Sequence, residues 1–198
     1  MTTGTAAVED LAHAFAAVGD LIAEIRADQW SDPTPCTEWS VSDVVDHLVG
    51  MNLVFVALIE GGPMPERGVD RPGDDPAGAY RKSAAAHLAA FAAPDLLGRS
   101  FAGPLGTATG AERLQIRLAD LLTHGWDLAQ ATGIAVAFPD ELAERALEFS
   151  RDQFVSGPSR IGRFADPQPV AADAPALDRL AAFTGRPIPP HSHIRCVP

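Results

Sequence analysis

Apolar residues at helical spacing, repeated in several long segments, are the feature of this sequence that most constrains its fold. In the first segment Val8, Leu11, Phe15, Val18 and Ile22 recur every three or four residues, which predicts an amphipathic helix over 6–27. The same reasoning predicts further helices over about 41–60, 76–93, 111–132, 139–156 and 175–184. Because almost no segment has strand character, the sequence predicts an all-α protein. We expect a four-helix bundle in which the segment opened by Pro139 is the fourth long helix.

The segments between these helices are rich in proline and glycine. Residues 61–75 are predicted to form a loop, and the glycine-punctuated segment 98–110 fits a short hairpin and an active-site loop equally well. The chain beyond 158 is proline-rich apart from its one short helix. The sequence therefore predicts a bundle domain over 1–157 and an irregular C-terminal extension over 158–198 that packs on it.

The charge of the chain narrows the classes of function that it can serve. Fifteen basic against 26 acidic residues give a formal net charge of −11, which disfavours binding to nucleic acid or to an anionic membrane surface. No uninterrupted apolar window reaches about 18 residues, so we expect no membrane span. The N-terminus lacks the basic region of a signal peptide. We therefore expect a cytoplasmic protein with a small-molecule substrate, in which Cys36 and Cys196 are reduced thiols.

Two aspartate–histidine pairs stand out within the predicted helices. Asp43 precedes His47 by four residues, and Asp120 precedes His124 by four, so each pair shares a helix face. Helical bundles build metal sites in their cores from such side chains on facing helices. Two ordinary alternatives stay open: Asp43 fits a capping acid for a helix that begins after Ser40, and His47 fits a core histidine.

The helix over 111–132 carries two distinct faces. At about 100° per residue, Arg113, Arg117, Asp120, His124 and Asp127 fall on one stripe. The stripe is either a solvated, salt-bridged surface or a ligand face met by His47 from another helix. Three ligands, His47, Asp120 and His124, would leave an open coordination position, which is typical of catalytic metal sites. The second face is apolar and consists of Leu114, Leu118, Leu121, Leu122, Gly125 and Leu128.

Two sequence motifs give the chain a family resemblance. PTPCTEWSVSDVVDHLVG and RLADLLTHGWDLAQATG, with RFADPQPVAADAPALDRLAAFTGR downstream, resemble the DinB-like superfamily of four-helix metal-binding proteins. The resemblance is closest to the actinobacterial group related to the mycothiol-dependent maleylpyruvate isomerase. It implies that His47, Asp120 and His124 are the metal ligands, with Asp120 standing where the isomerase has a glutamate. The isomerase also has an extra C-terminal domain where this chain has a short extension.

The resemblance also implies an activity. It points to a divalent-metal-dependent transferase or isomerase that uses a low-molecular-weight thiol such as mycothiol. Zinc is the first candidate metal, and two imidazoles with one carboxylate also suit nickel, iron or manganese. The resemblance also implies a possible homodimer, for which the apolar run 53–59 fits either an interface or the core. A metal-dependent hydrolase or lyase, or a non-catalytic metal-binding stress-response bundle, are the alternatives.

Several side chains near the motifs have candidate roles. Arg113 and Arg117 are candidates to hold a substrate carboxylate, with ion pairing to Asp120 or neighbouring acids as the alternative. Asp127 is a candidate acceptor for an imidazole N–H, or an ordinary surface aspartate. We expect the remaining conspicuous side chains to be structural or adventitious: core tryptophans at Trp39 and Trp126, a packed thiol at Cys36, and tail histidines at His191 and His193.

Overall fold

The structure, a computed structural model, describes residues 2–65, 73–103, 106–154 and 164–189. Within these ranges the chain forms six α-helices, one turn of 3-10 helix and one pair of short strands. In chain order the elements are α1 (Thr2–Glu24), α2 (Val41–Glu60), α3 (Pro76–Phe91), a 3-10 turn (Leu96–Gly98), β1 (Ser100–Gly103), β2 (Gly106–Thr109), α4 (Gly110–Thr132), α5 (Asp140–Gln153) and α6 (Ala176–Phe183).

The first four helices form a bundle around one apolar core. α1 and α2 each pack against both α3 and α4, and the apolar stripe predicted for α4 is buried along its length. The prediction of an all-α bundle is confirmed. The set of helices that forms the bundle differs from the prediction. The four are α1 to α4, whereas α5, which was expected to be the fourth, packs outside the bundle against α4 and α6. The hydrophobic periodicity of α3 is too weak to show that it belongs to the bundle, because alanines and polar residues share its buried face with Tyr80 and Phe91.

Local sequence signals set the ends of the two helices that matter most below. Ser40 and Asp43 form a reciprocal capping box at the start of α2, so the capping role foreseen for Asp43 is confirmed. Thr109 and Glu112 form the same arrangement at the start of α4. α4 ends at Gly133, whose φ of 72° lies in the left-handed region that glycine adopts without strain.

The segment 98–110 contains a short antiparallel hairpin. β1 and β2 pair from Ser100 opposite Thr109 to Gly103 opposite Gly106. Arg113 of α4 holds the hairpin, because its guanidinium donates to the carbonyl oxygens of Phe101, at 3.1 Å, and of Gly106. The hairpin alternative for this segment is therefore the observed one.

One helix complicates the expectation about membranes. Among the described residues, α2 alone is long and apolar enough to cross a membrane by length and composition. The sequence argument required an uninterrupted apolar window. It therefore did not count this helix as a candidate membrane span, because a few polar residues interrupt the apolar run. In this structure α2 packs against α3 and α4 as a bundle helix.

Candidate metal centre

Three polar side chains from α2 and α4 meet where the two helices pack together. His47 Nε2 lies 3.1 Å from Asp120 Oδ1, and His124 Nε2 lies 3.5 Å from the same oxygen. The three ligand atoms all lie within 4.8 Å of one another, and the two imidazole centroids are 4.8 Å apart. The structure therefore brings together the three residues that the sequence singled out as candidate ligands.

The spacing of these atoms matches what a metal ion requires. Two ligand atoms each about 2.1 Å from a tetrahedral zinc ion lie roughly 3.4 Å from each other. The observed separations from Asp120 Oδ1 are 3.1 and 3.5 Å. Two imidazole nitrogens and one carboxylate oxygen are also a donor set that zinc, nickel, iron and manganese accept. The residues present fit a divalent ion.

The cluster is open on one side. About a quarter of the His47 side chain and a similar share of Asp120 are exposed, at 25% and 23%, whereas His124 is at 8%. A closed structural site surrounds its ion with protein ligands, and a catalytic site keeps a position for water or substrate. The exposure of two of the three side chains leaves part of the cluster in contact with solvent.

Arg117 compensates the charge of Asp120 from inside the core. Its guanidinium, which has no exposed surface, pairs with Asp120 Oδ2 and donates to Asn52 Oδ1 and to the Leu48 carbonyl oxygen. Burial disfavours the Asp120 anion, but the contact with His47 and the charge of Arg117 outweigh this effect and hold the pKa of Asp120 well below its usual range. Asp120 is therefore ionised, with Oδ1 turned to the histidines.

The stripe on α4 is not a solvated surface. Arg113 and Asp127 are at most 1% exposed, and the His124 side chain is 8% exposed. Arg113 is committed to the hairpin carbonyls, and Arg117 to protein groups in the core. Ion pairing with Asp120, the alternative role considered for Arg117, is present. A role for either arginine in binding a substrate carboxylate stays a prediction.

A second carboxylate orients His124 from the opposite side. Asp127 Oδ2 lies 3.0 Å from His124 Nδ1, and Asp127 has no exposed surface. Burial raises the pKa of Asp127, but the hydrogen bond with His124 and the charge of Arg186 outweigh it and lower that pKa. The imidazole acceptor that the sequence proposed at Asp127 is therefore in contact with the histidine.

Arg186 is the site residue that sequence reasoning missed. It lies just after α6, and its Nε and Nη2 contact the two carboxylate oxygens of Asp127 at 3.2 and 2.9 Å. Its position next to Asp127 depends on how the C-terminal segment folds back over α4, which no local pattern specifies. The GR dipeptide at the end of the third family-like motif was the only available signal.

Trp39 forms one wall of the cluster. Its indole stacks on the His124 ring, with centroids 5.5 Å apart and an interplanar angle of 17°, and lies 4.8 Å from the His47 ring. The preceding residue, Glu38, has a φ of 74°, an uncommon conformation for a residue other than glycine. Trp39 packs partly against the core, as expected, and also covers both imidazoles. Trp126 is fully buried.

Cys36 lies beside the cluster as a protonated thiol. Its sulfur belongs to a second group of nearby ligand atoms, with His124 and Asp127. Desolvation raises the pKa of the Cys36 thiol to about 11, so it carries little thiolate at neutral pH. Because Asp127 is already engaged by Arg186, we assign no metal to this second group. His191, His193 and Cys196 lie outside the described residues.

Comparisons with known proteins agree with this architecture. Residues 11–129 match the family model of the mycothiol maleylpyruvate isomerase N-terminal domain. An uncharacterized protein of Mycobacterium tuberculosis (strain H37Rv) is 39% identical over 179 residues, covering 88% of this chain and 93% of that protein. A second uncharacterized protein of the same strain is 26% identical over 133 residues, covering 58% of this chain and 51% of that protein.

Two solved structures resemble the fold. The crystal structure of the mycothiol-dependent maleylpyruvate isomerase matches with a TM-score of 0.55 and 16% sequence identity, covering 74% of this chain and 70% of that chain. The crystal structure of a mutant of that enzyme matches with a TM-score of 0.56 over the same shares. At this identity the likeness establishes a shared fold.

Proposed function

The chain belongs to the mycothiol maleylpyruvate isomerase N-terminal domain family, and from this premise we propose that it is a divalent-metal-dependent enzyme. The proposed activity is that of a transferase or isomerase that uses a low-molecular-weight thiol, with mycothiol as the first candidate. One observation carries the proposal: His47, Asp120 and His124 converge from two helices at ligand spacing on a solvent-accessible side of the bundle.

In this proposal His47, Asp120 and His124 hold the metal, with zinc as the first candidate. A bound divalent ion would favour the deprotonated form of a thiol that binds beside it, and so supply a thiolate nucleophile at neutral pH. The thiolate would then add to an electrophilic carbon of a small-molecule substrate as a π bond at that carbon opens, or displace a leaving group from it. We propose a cytoplasmic enzyme and a homodimer.

The protein side chains have separate tasks in this mechanism. Asp120 presents one oxygen to the open side, because Arg117 engages the other. Asp127 accepts a hydrogen bond from His124 Nδ1 and so leaves the Nε2 lone pair directed toward the cluster. Trp39 covers the imidazole rings on one side and keeps water away from that wall. These contacts orient the ligand atoms before any small molecule arrives.

A purely structural metal site is the main competing interpretation. It requires that protein ligands close the coordination sphere. The exposed quarter of His47 and Asp120 favours the open arrangement instead.

Elemental analysis of the purified, untagged protein tests the proposal. All samples would carry His191→Ala and His193→Ala, which removes adventitious binding by the tail. We expect about one divalent ion per chain in this parent, almost none in the His124→Ala variant, and the parent value in a His13→Ala control. Thiol use is tested on cobalt-loaded protein, where mycothiol should add a sulfur-to-cobalt absorption band. Absence of stoichiometric metal after zinc or nickel is added back would overturn the proposal.

A further inference from the structure

The C-terminal segment contributes a buried cation to the candidate metal centre. Arg186 is 6% exposed and contacts Asp127, which has no exposed surface. Its Nε donates to Oδ1 at 3.2 Å and its Nη2 donates to Oδ2 at 2.9 Å. Two parallel hydrogen bonds from one planar guanidinium fix both the position and the plane of the carboxylate.

The fixed carboxylate in turn determines how His124 presents its ring. Asp127 Oδ2, held by Arg186, lies 3.0 Å from His124 Nδ1. Both oxygens of Asp127 already accept from the Arg186 guanidinium, so the carboxylate is the acceptor here as well and the N–H of this hydrogen bond belongs to Nδ1. In the neutral ring Nε2 then carries the lone pair, and Nε2 is the atom that lies 3.5 Å from Asp120 Oδ1.

The fold-back of the chain that delivers Arg186 has its own anchors. Trp126, the neighbour of Asp127 on α4, donates from Nε1 to Asp178 Oδ1 of α6 at 2.7 Å. Gly185 has a φ of 96°, and a Cβ at this position would lie 2.6 Å from the Cβ of Ala165. Glycine is therefore required for the turn that returns Arg186 to the bundle.

From this chain of contacts we propose that Arg186 is a positioning residue for the metal centre. It holds Asp127 in the orientation that selects the Nδ1–H tautomer of His124 and points Nε2 at the ion. The proposal rests on the proposed function for its metal, but the tautomer is a property of the protein alone. It makes the segment 164–189 part of the site, although the family match ends at residue 129.

The test compares Arg186→Gln and Arg186→Lys with the full-length parent. The matched control is Arg179→Gln, since Arg179 lies on α6 and pairs with Glu144 at the surface. Zinc affinity is measured by competition with a chromogenic chelator, and the His124 tautomer by nitrogen-15 NMR of the metal-free protein. Circular dichroism establishes that each variant is folded.

We expect Arg186→Gln to weaken zinc binding by about 10–100-fold, the usual effect of losing a group that orients a ligand. The same variant should show a mixture of His124 tautomers. Arg186→Lys should recover part of the affinity, because an ammonium restores the charge but not the two-point contact. Arg179→Gln should match the parent in both measurements.

Two results would overturn the proposal. One is Arg186→Gln with parental zinc affinity and an unchanged Nδ1–H tautomer. The other is a parent whose His124 is not protonated at Nδ1. If the parent binds no zinc, the proposed function fails, and the tautomer measurement still decides the role of Arg186. If Arg186→Gln does not fold, Arg186→Lys carries both measurements, and parental values for it refute the positioning role.

Discussion

Asp120 serves two sets of partners with its two carboxylate oxygens. Oδ1 faces His47 and His124, while Oδ2 pairs with Arg117. The buried guanidinium thus fixes the rotation of the carboxylate and compensates its charge. Asn52 extends this arrangement, because its Oδ1 accepts from Arg117 and its Nδ2 donates to Ser83 Oγ of α3 at 2.9 Å.

Replacing Arg117 tests this arrangement at the level of one residue. Arg117→Met should lower the free energy of unfolding by about 1–3 kcal/mol, because Asn52 Oδ1 and the Leu48 carbonyl oxygen lose their buried donor. Urea titration of the metal-free protein measures the change. Arg145→Met is the matched control, since Arg145 forms an exposed ion pair with Asp10 and should cost at most about 1 kcal/mol. Equal stability of the two variants would contradict the role assigned to Arg117.

Helix α3 carries a histidine, His87, that is buried in the apolar core of the bundle. His87 has no exposed surface and lies among the rings of Phe15, Phe55 and Phe91, with centroid distances of 4.8–5.2 Å. Neither of its nitrogens has a hydrogen-bond partner among the described residues. Burial, reinforced by the charge of Arg117, lowers the pKa of His87 well below 6.5. The folded bundle therefore holds His87 neutral.

The burial of His87 predicts how the stability of the folded protein changes with pH. Below about pH 6.5 the unfolded chain binds a proton at His87 that the folded chain does not, so stability falls as the pH decreases. The loss attributable to His87 approaches about 1.4 kcal/mol for each further pH unit. Urea titrations between pH 7.5 and 5 should show a steeper decline for the parent than for His87→Leu, with His13→Gln declining like the parent. Parallel curves for the parent and His87→Leu would refute this.

Some elements could be predicted from the sequence, and others depend on packing. Periodicity places α2 and α4 correctly, and Ser40 marks the start of α2 because its side chain satisfies a backbone group at that helix end locally. The candidate ligands follow from i, i+4 spacing and the family-like motifs. The burial of Arg113 and Arg117 could not be predicted, because a stripe of charged residues has the same sequence pattern whether it faces solvent or other polar groups. Arg186 depends on a tertiary fold-back.

At the scale of the molecule, the carboxylate charges at the cluster are compensated by arginines of the protein itself. Arg117 offsets the charge of Asp120, and Arg186 that of Asp127. The apolar core runs through the bundle independently of these groups. This differs from small metal-nucleated domains, whose fold depends on the ion.

Removal of metal should therefore leave the fold intact. After treatment with a chelator, the helical circular dichroism signal should be unchanged. The free energy of unfolding should fall only by the contribution of metal binding, which is about 2.7 kcal/mol when the metal is present at 100 times its dissociation constant, and the midpoint of thermal unfolding should fall accordingly. Adding zinc back should restore the midpoint in the parent but not in His124→Ala. Unfolding by the chelator alone would identify the metal as structural.

The most direct test of the account is zinc K-edge X-ray absorption on the zinc-loaded protein, with and without mycothiol. The central claim predicts nitrogen and oxygen ligands at about 2.0–2.1 Å, including two imidazoles, and one added sulfur at about 2.3 Å once mycothiol is present. His47→Ala, which removes one of the three ligands, should bind almost no zinc, like His124→Ala. A coordination sphere that lacks imidazole, or one that mycothiol leaves unchanged, would contradict the claim that this cluster holds a metal for thiol chemistry.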